Sequence, residues 1–415
     1  MPTQQRTRNV LREIKCPHCW ESFPSEDIHY ISIHSSLTGD DRLGENEMRR
    51  FLPDRFNVQG LAIDARGEVC VEFGCPNCHL TIARDLVNLK SWITSIVGAP
   101  SCGKTFFLTS MVHCLKDSFT DFHISFESAD NQTNKMLLDW ENILFSTTTP
   151  DQLVTLEKSE LPGATPGYNQ VQYGVESRTY PRPFLYSLNV TDKHRHSKSK
   201  HNLSRVICMY DNSGESFGID TDDATAPVTR HMASAEVLFF CFDPTQDGSW
   251  RPDLKFLTND IQVQEETVTS VQYVVFTEML ERIRKYRQMG QNDTHEKPLV
   301  IIVTKFDAWQ GLYERDGGPP LSRKPWKTSG GSARLDLTEI DRVSDHVREM
   351  LRSRSPSFVQ TAERFSKQVL YVPVSATGTS PDASYQFRPE QLQPLWCEVP
   401  LLAALAKWRK GFIFS

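Results

Sequence analysis

Three things are missing from this 415-residue sequence, and each absence narrows what it can be. Long apolar runs are missing. The most apolar stretch, AEVLFFCF, is far too short to cross a bilayer, and the opening MPTQQRTRNVLREIKCPHCW has no apolar core of signal-peptide length. The expectation is a cytoplasmic protein with no membrane span. An excess of positive charge is missing too: 46 Lys and Arg against 52 Asp and Glu give a net charge of −6, which offers nucleic acid no general attraction. The one basic stretch, TDKHRHSKSKHNLSR at residues 191–205, has no interleaved aromatic residue and reads as a solvated hairpin connection rather than a nucleic-acid surface. Finally, no internal repeat is present, which sets solenoids and propellers aside.

What is present divides near residue 90. Residues 1–89 hold CPHC (Cys16, Cys19) and CPNC (Cys75, Cys78), separated by a strand-like stretch, GLAIDARGEVCVEFG, in which Ala65-Arg66-Gly67 suits a hairpin turn. The proline-containing knuckle form aims two thiolates at one ion, so the four cysteines match a closed tetrahedral Zn²⁺ site with no open position for catalysis. The interval between the pairs is long for a ribbon, and free thiols or redox pairs are the alternative. His18 and His79, beside the knuckles, are expected to support the site or face solvent. The other six of the ten cysteines lie singly in apolar surroundings and read as buried thiols, not disulfides.

From residue 90 to 415, apolar β-type runs alternate with helical patterns. Strands are expected at about 92–97, 122–127, 183–190, 205–210, 236–242, 298–303 and 369–374, and helices after Gly103, Asp130, Tyr273, Thr338 and Pro400. For the helix after Thr338, that hydroxyl serves as the expected N-cap. The fold class is therefore α/β, a mostly parallel sheet flanked by helices and preceded by a small β-rich zinc ribbon. Stretches 146–182, 245–270 and 308–337 show no clear period and read as functional or mobile loops, or as surface insertions.

Chemistry enters at VGAPSCGKTF. Gly98, Ala99, Pro100, Ser101, Cys102, Gly103, Lys104, Thr105 and Phe106 follow an apolar strand and open a helical pattern, so their backbone N–H groups and the helix N-terminus can cradle phosphate. Lys104 reaches the β and γ phosphates, and Thr105 ligates Mg²⁺. Cys102 is there for its small size, or as a thiol made more acidic beside the phosphate-binding amides. In RVICMYDNSGESF, Asp211 can hold Mg²⁺ through water and Gly214 can approach a γ-phosphate closely. In PLVIIVTKFDAW, Thr304, Lys305 and Asp307 sit at a strand end; an aspartate can accept from both guanine N1–H and N2–H₂, a donor pair that adenine lacks. Ser375, Ala376 and Thr377 end the following strand in VLYVPVSATG, where the Ala376 backbone can donate to guanine O6.

With GAPSCGKT, DNSG, TKFD and SAT in this order, the region from about residue 90 onward resembles the translation-factor-like GTPases of the P-loop class. Joined to a zinc ribbon, it looks like the bacterial GTPases of paired-GTPase and conflict-associated systems. The resemblance implies GTP and GDP as ligands, Mg²⁺ as cofactor, hydrolysis that switches the binding of a protein partner, and as that partner a second GTPase or an effector. Two departures stand out. Thr304 replaces the commoner Asn of the base motif, weakening its tie to the phosphate loop. Glu215 occupies the place where Ras-type GTPases carry the water-orienting Gln, so it acts catalytically through a water or a raised pKa, or is a switch residue with no chemical role. Ser159, Thr165 and Thr179 are each candidates for the hydroxyl of the first switch, and Arg178 and Arg182 lie in the segment where a cis arginine would. A nucleotide-binding scaffold with negligible hydrolysis is the competing reading; an ATP-dependent kinase or motor is disfavoured by TKFD.

Overall fold

The computed structural model describes residues 10–146, 152–156, 167–212, 214–217, 229–264 and 271–415. Its centre is a seven-stranded mixed sheet. We label the strands β1 (Lys90–Gly98), β2 (Ile124–Ser128), β3 (Phe184–Val190), β4 (Arg205–Asp211), β5 (Val237–Phe242), β6 (Leu299–Val303) and β7 (Val369–Pro373), and their spatial order is β2-β3-β4-β1-β5-β6-β7. From β4 to β7 every neighbouring pair is parallel, whereas β2 and β3 add to one edge antiparallel. The sequences explain the difference in depth. VLFFCF of β5 and LVIIV of β6 are apolar at successive positions and buried on both faces, as parallel strands covered by helices must be.

The principal helices are α1 (Lys104–Asp121), α2 (Lys135–Phe145), α3 (Val271–Arg287), α4 (Phe306–Arg315), α5 (Leu337–Arg354), α6 (Pro356–Phe365) and α7 (Val399–Trp408). Two of them correct the expectations from sequence. Asp336, not Thr338, caps α5: its carboxylate accepts from the Glu339 N–H at 3.0 Å, and Thr338 lies inside the first turn. An aspartate two residues earlier starts the helix sooner and offers a charged acceptor to one of its orphan amides. The stretch 308–337 is not structureless, since it holds most of α4, whose Phe306, Trp309, Leu312 and Tyr313 supply a short apolar face, and a hairpin of Trp326–Ser329 with Ser332–Leu335. A second hairpin, Tyr168–Tyr173 with Glu176–Pro181, occupies the end of 146–182. The basic connection at 191–205 does join antiparallel β3 and β4, but it is anchored: His194 is buried and its Nε2 meets the Phe412 carbonyl at 3.1 Å.

The segment before β1 is built from strands of two to five residues. The turn at Ala65-Arg66-Gly67 forms because Asp64, fully buried, accepts from the Arg66 and Glu68 amides while Gly67 takes φ +91°. This segment lies directly against the sheet, and its buried side chains run continuously into the main core.

Candidate functional sites: a cavity at the strand ends and a four-cysteine cluster

A cavity of about 670 Å³ opens at the C-terminal ends of β1, β5, β6 and β7, the position at which open α/β sheets bind ligands. One end is made by the loop between β1 and α1. Ser101 and Gly103 both take positive φ, +60° and +88°, so the chain curls sharply before it enters the helix at Lys104. Lys104 is buried, and its Nζ donates to the carbonyls of Gly98 (3.0 Å) and Ala99 (2.8 Å). Among the described residues no carboxylate pairs with this ammonium, and a buried positive charge without a counter-charge is costly. The arrangement suits an anion.

Beside it, Thr105 Oγ1 donates to Asp211 Oδ2 at 2.8 Å, joining the first turn of α1 to the end of β4. That is one hydroxyl and one carboxylate, both oxygen donors of the kind a hard divalent cation takes. Gly214 presses on the loop so closely that a Cβ there would lie 2.6 Å from the Pro100 ring and 2.8 Å from the Gly98 carbonyl. Gly98 is equally confined, with the Cys102 Sγ and the Cys241 carbonyl each 2.7 Å from where its Cβ would stand. Cys102 is therefore packed beneath the loop and does not line the cavity.

At the other end, Asp307 accepts from Ser375 Oγ at 2.5 Å, and the same hydroxyl receives the Gly378 N–H at 2.8 Å. Burial pushes the Asp307 carboxyl above its ordinary range, with the Ser375 hydrogen bond pulling the other way. Ala376 and Thr377 complete this end, and the Ala376 carbonyl is held by Ser110 Oγ at 2.7 Å. Thr304 lines the floor, but its hydroxyl is turned to the Phe242 carbonyl, 3.2 Å away.

Lys305 adopts a left-handed backbone (φ 54°, ψ 43°) and forms a 2.7 Å ion pair with Asp243, which is fully buried. Burial opposes the charge on Lys305, but the Asp243 and Asp260 carboxylates outweigh it and hold the ammonium above its ordinary range. Gln262 bridges the two ends, accepting from Lys305 Nζ through Oε1 while its Nε2 donates to the Ser101 carbonyl at 3.3 Å. Gln246 adds a second tie, donating to the Pro100 carbonyl at 3.0 Å. The link from base-side motif to loop, weakened by Thr304, is thus supplied from the aperiodic stretch 245–270. Asp243, just past β5, and Thr245, Gln246, Asp260 and Gln262 escaped the reading from sequence; for the last four the unusual length of that stretch was the only signal.

The remaining expectations fall outside the cavity or outside the described residues. Ser159 and Thr165 are among the residues not described, and of Glu215 only the backbone, in the short helix Gly214–Phe217, is described. Thr179, Arg178 and Arg182 do not line the cavity: Arg178 lies 4.8 Å over the Tyr173 ring, and Arg182 donates to Asn169 at 3.2 Å. Unforeseen walls come instead from Thr155 and Leu156, held in place by pairing of Val154 with Phe387.

The second site is the cysteine cluster. Cys16, Cys19, Cys75 and Cys78 are buried, with their Sγ atoms all within 4.8 Å of one another, and the cross-pairs Cys16–Cys78 and Cys19–Cys75 stand at 3.8 and 3.7 Å. Four thiolates about 2.3 Å from a tetrahedral ion are separated by about 3.8 Å, so the spacing fits one Zn²⁺ without rearrangement. The amides of His18 and Asn77 point at Cys16 Sγ (3.3 Å) and Cys75 Sγ (3.4 Å), the polarity a thiolate requires. His18 and His79 are both buried and turn away from the sulfurs, His18 Nε2 to the Thr81 carbonyl and His79 Nδ1 to Asp40.

No protein-family model matches the chain. It is similar to a Mycolicibacterium smegmatis protein described as an ESX-1 scaffolding and assembly protein, SaeC, with 22% identity over 290 residues, covering 67% of this chain and 63% of that one. The chain thus spans less than two thirds of the length of this relative. No helix among the described residues is long and apolar enough to cross a membrane.

Proposed function

We propose that the protein is a Mg²⁺-dependent GTP-binding switch that hydrolyses GTP and changes its hold on a protein partner, with a zinc-bound Cys₄ module docked on the nucleotide-binding sheet. The observation that carries this reading is one cavity with complementary ends: Lys104 and Thr105 line one, with Asp211 bonded to Thr105 behind them, and Asp307 and Ala376 line the other, with Ser375 bonded to Asp307. In this reading the loop amides and Lys104 bind the phosphates, Thr105 and Asp211 hold the Mg²⁺, and Asp307 accepts from the guanine edge. The strand order β3-β4-β1-β5-β6-β7, with motifs at successive strand ends, supports a P-loop GTPase fold extended by β2.

A second reading keeps the nucleotide and drops the hydrolysis. The description of SaeC as a scaffolding and assembly protein favours it. Competition of GTP and ATP in calorimetry tests the common part, and preference for ATP removes both readings. Single-turnover hydrolysis, with Glu215→Gln alongside wild type, separates them. The switch requires a measurable rate that this substitution changes; a rate at the level of free GTP supports the scaffold.

A further inference from the structure

Tyr210 is the next-to-last residue of β4, and its neighbour Asp211 is the carboxylate that meets Thr105. Successive residues of a strand point to opposite faces, so one short piece of backbone carries Asp211 toward α1 and Tyr210 toward the cysteine module. Tyr210 is fully buried there, and both hydrogen-bonding functions of its hydroxyl are taken by the first knuckle. The hydroxyl donates to the carbonyl of Pro17, inside CPHC, and accepts from the indole Nε1–H of Trp20 at 3.2 Å. Trp20 follows Cys19 directly and is held at φ +62°, with its N–H closing the knuckle onto the Cys16 carbonyl at 3.1 Å. A β-region backbone at Trp20 would swing the indole away from Tyr210.

A second connection runs alongside. The His231 ring stacks on Tyr210 (4.2 Å between centroids, 24° between planes), and its Nε2 faces Ser95 Oγ at 3.1 Å. That hydroxyl receives Asn212 Nδ2 at 3.1 Å, while the same amide also donates to the Ile96 carbonyl at 2.8 Å. The residues on either side of Asp211 are therefore both fixed, Tyr210 by the knuckle and Asn212 by the strand that leads into the Gly98 loop.

We infer that Tyr210 is a positioning residue for Asp211, through which occupancy of the four-cysteine site sets the Mg²⁺ affinity of the nucleotide site. The knuckle is flanked only by the three-residue strands Glu13–Lys15 and Ser22–Pro24, too short to fix the Pro17 carbonyl and the Trp20 indole by themselves. Removing the ion frees that loop and leaves the Tyr210 hydroxyl buried without its partners. The end of β4 then relaxes, and Asp211 loses its fixed distance to Thr105. Linkage makes the effect reciprocal: Mg²⁺ and triphosphate bound at Asp211 tighten the hold on zinc.

The inference rests on the nucleotide reading, and its test separates the two. The full chain is prepared zinc-loaded as wild type and Tyr210→Phe, which keeps the ring stacked on His231 and removes the hydroxyl alone. Metal analysis is expected to give equal zinc. The Mg²⁺ concentration at half-saturation with a non-hydrolysable GTP analogue is expected to rise about five- to tenfold in the variant, with GDP affinity in chelator unchanged. Stripping zinc from wild type should produce the same rise, and stripping the variant should add nothing. Equal Mg²⁺ midpoints, or equal further shifts on stripping both proteins, overturn the inference; a purely structural role for the hydroxyl would lower the melting temperature and leave the midpoint where it was. Should Tyr210→Phe fail to fold, Trp20→Phe removes the other half of the contact. Failure of wild type to bind the GTP analogue at any Mg²⁺ concentration defeats the proposed function instead. Amide exchange at the end of β4 and in the loop 98–105 then decides the coupling: faster exchange on stripping or in Tyr210→Phe sustains it, and identical exchange overturns it.

Discussion

Cys16–Cys19 and Gly98–Thr105 are both tight loops of this molecule, and they are held by opposite means. The first sits among strands of two to five residues, and its shape converges on four sulfur atoms. The second hangs from a sheet whose central strands are buried on both faces, and several separate contacts share its support: Lys104 on Gly98 and Ala99, Gln246 on Pro100, Gln262 on Ser101. A loop fixed by one ion fails all at once, whereas a loop fixed by distributed contacts loses affinity in steps.

The largest expected effect follows from the first half of that contrast. Cys75→Ser removes one of the four clustered sulfurs, and a structural zinc held there would supply on the order of 10 kcal/mol to a segment with little regular structure. Metal content should collapse, and fast amide exchange should spread over residues 10–89 while the strands β1, β5, β6 and β7 stay protected. Loss of protection in the sheet as well would show that the two loops share one source of stability.

Next in size is Lys104→Ala. Its ammonium contacts two carbonyls and the Cys102 Sγ but no carboxylate among the described residues, so the fold should survive with little change in melting temperature, while triphosphate affinity falls about 100-fold, or about 3 kcal/mol. Calorimetry with GTP and Mg²⁺ checks it. Undiminished binding would mean that the cavity serves something other than phosphate.

Asp307→Asn should cost less for GTP, about 1–3 kcal/mol, because an NH₂ replaces one acceptor and faces a donor of guanine. Xanthosine triphosphate, with a carbonyl in place of the 2-amino group, should then bind the variant better than GTP does. Competition among GTP, ATP and xanthosine triphosphate reads the change; an unaltered preference would leave Asp307 as no more than the partner of Ser375.

The same contrast explains what was legible in the sequence. Gly98, Gly103, Lys104 and Thr105 act through their own backbone within a few residues, and the knuckles act through spacing of two, so both could be read locally. The strands of the sheet were visible because β5 and β6 are apolar throughout and the others are rich in apolar and β-branched residues even where polar ones interrupt them. Gln262 and Asp243 were not visible, because their meaning depends on Lys305, more than 40 positions away in the chain, and on a side chain turned toward it by a left-handed backbone. Tyr210 was hidden for a similar reason: inside VICMY it reads as one more apolar strand residue, and only its docking on Pro17 and Trp20 gives the hydroxyl a role. The cap of α5 was missed by two residues, since Asp336 and Thr338 both satisfy the local pattern.

The smallest expected effect concerns protons at the base end of the cavity. Burial raises the Asp307 carboxyl above its ordinary range; Ser375 and Lys305 oppose the shift and Asp260 adds to it. A carboxyl raised in the folded state binds its proton more tightly there than in the unfolded chain, so ionising it costs stability at high pH and that cost disappears as pH falls through the raised value. Binding runs the other way. The guanine edge offers two donors and needs both oxygens of Asp307 as acceptors, which a protonated carboxyl cannot provide. If Asp307 is the base contact, GTP must displace that proton, and its affinity should weaken progressively as the pH is lowered below the raised value. Calorimetry in buffers of different ionisation enthalpy should register proton release below the raised value and none well above it. Asp307→Asn has no proton to release, so its affinity for xanthosine triphosphate should lack this component once the titration of the ligand itself is subtracted. A wild-type profile that stays flat, or one that the substitution leaves unchanged, would assign the pH response to the phosphate end and detach Asp307 from the base.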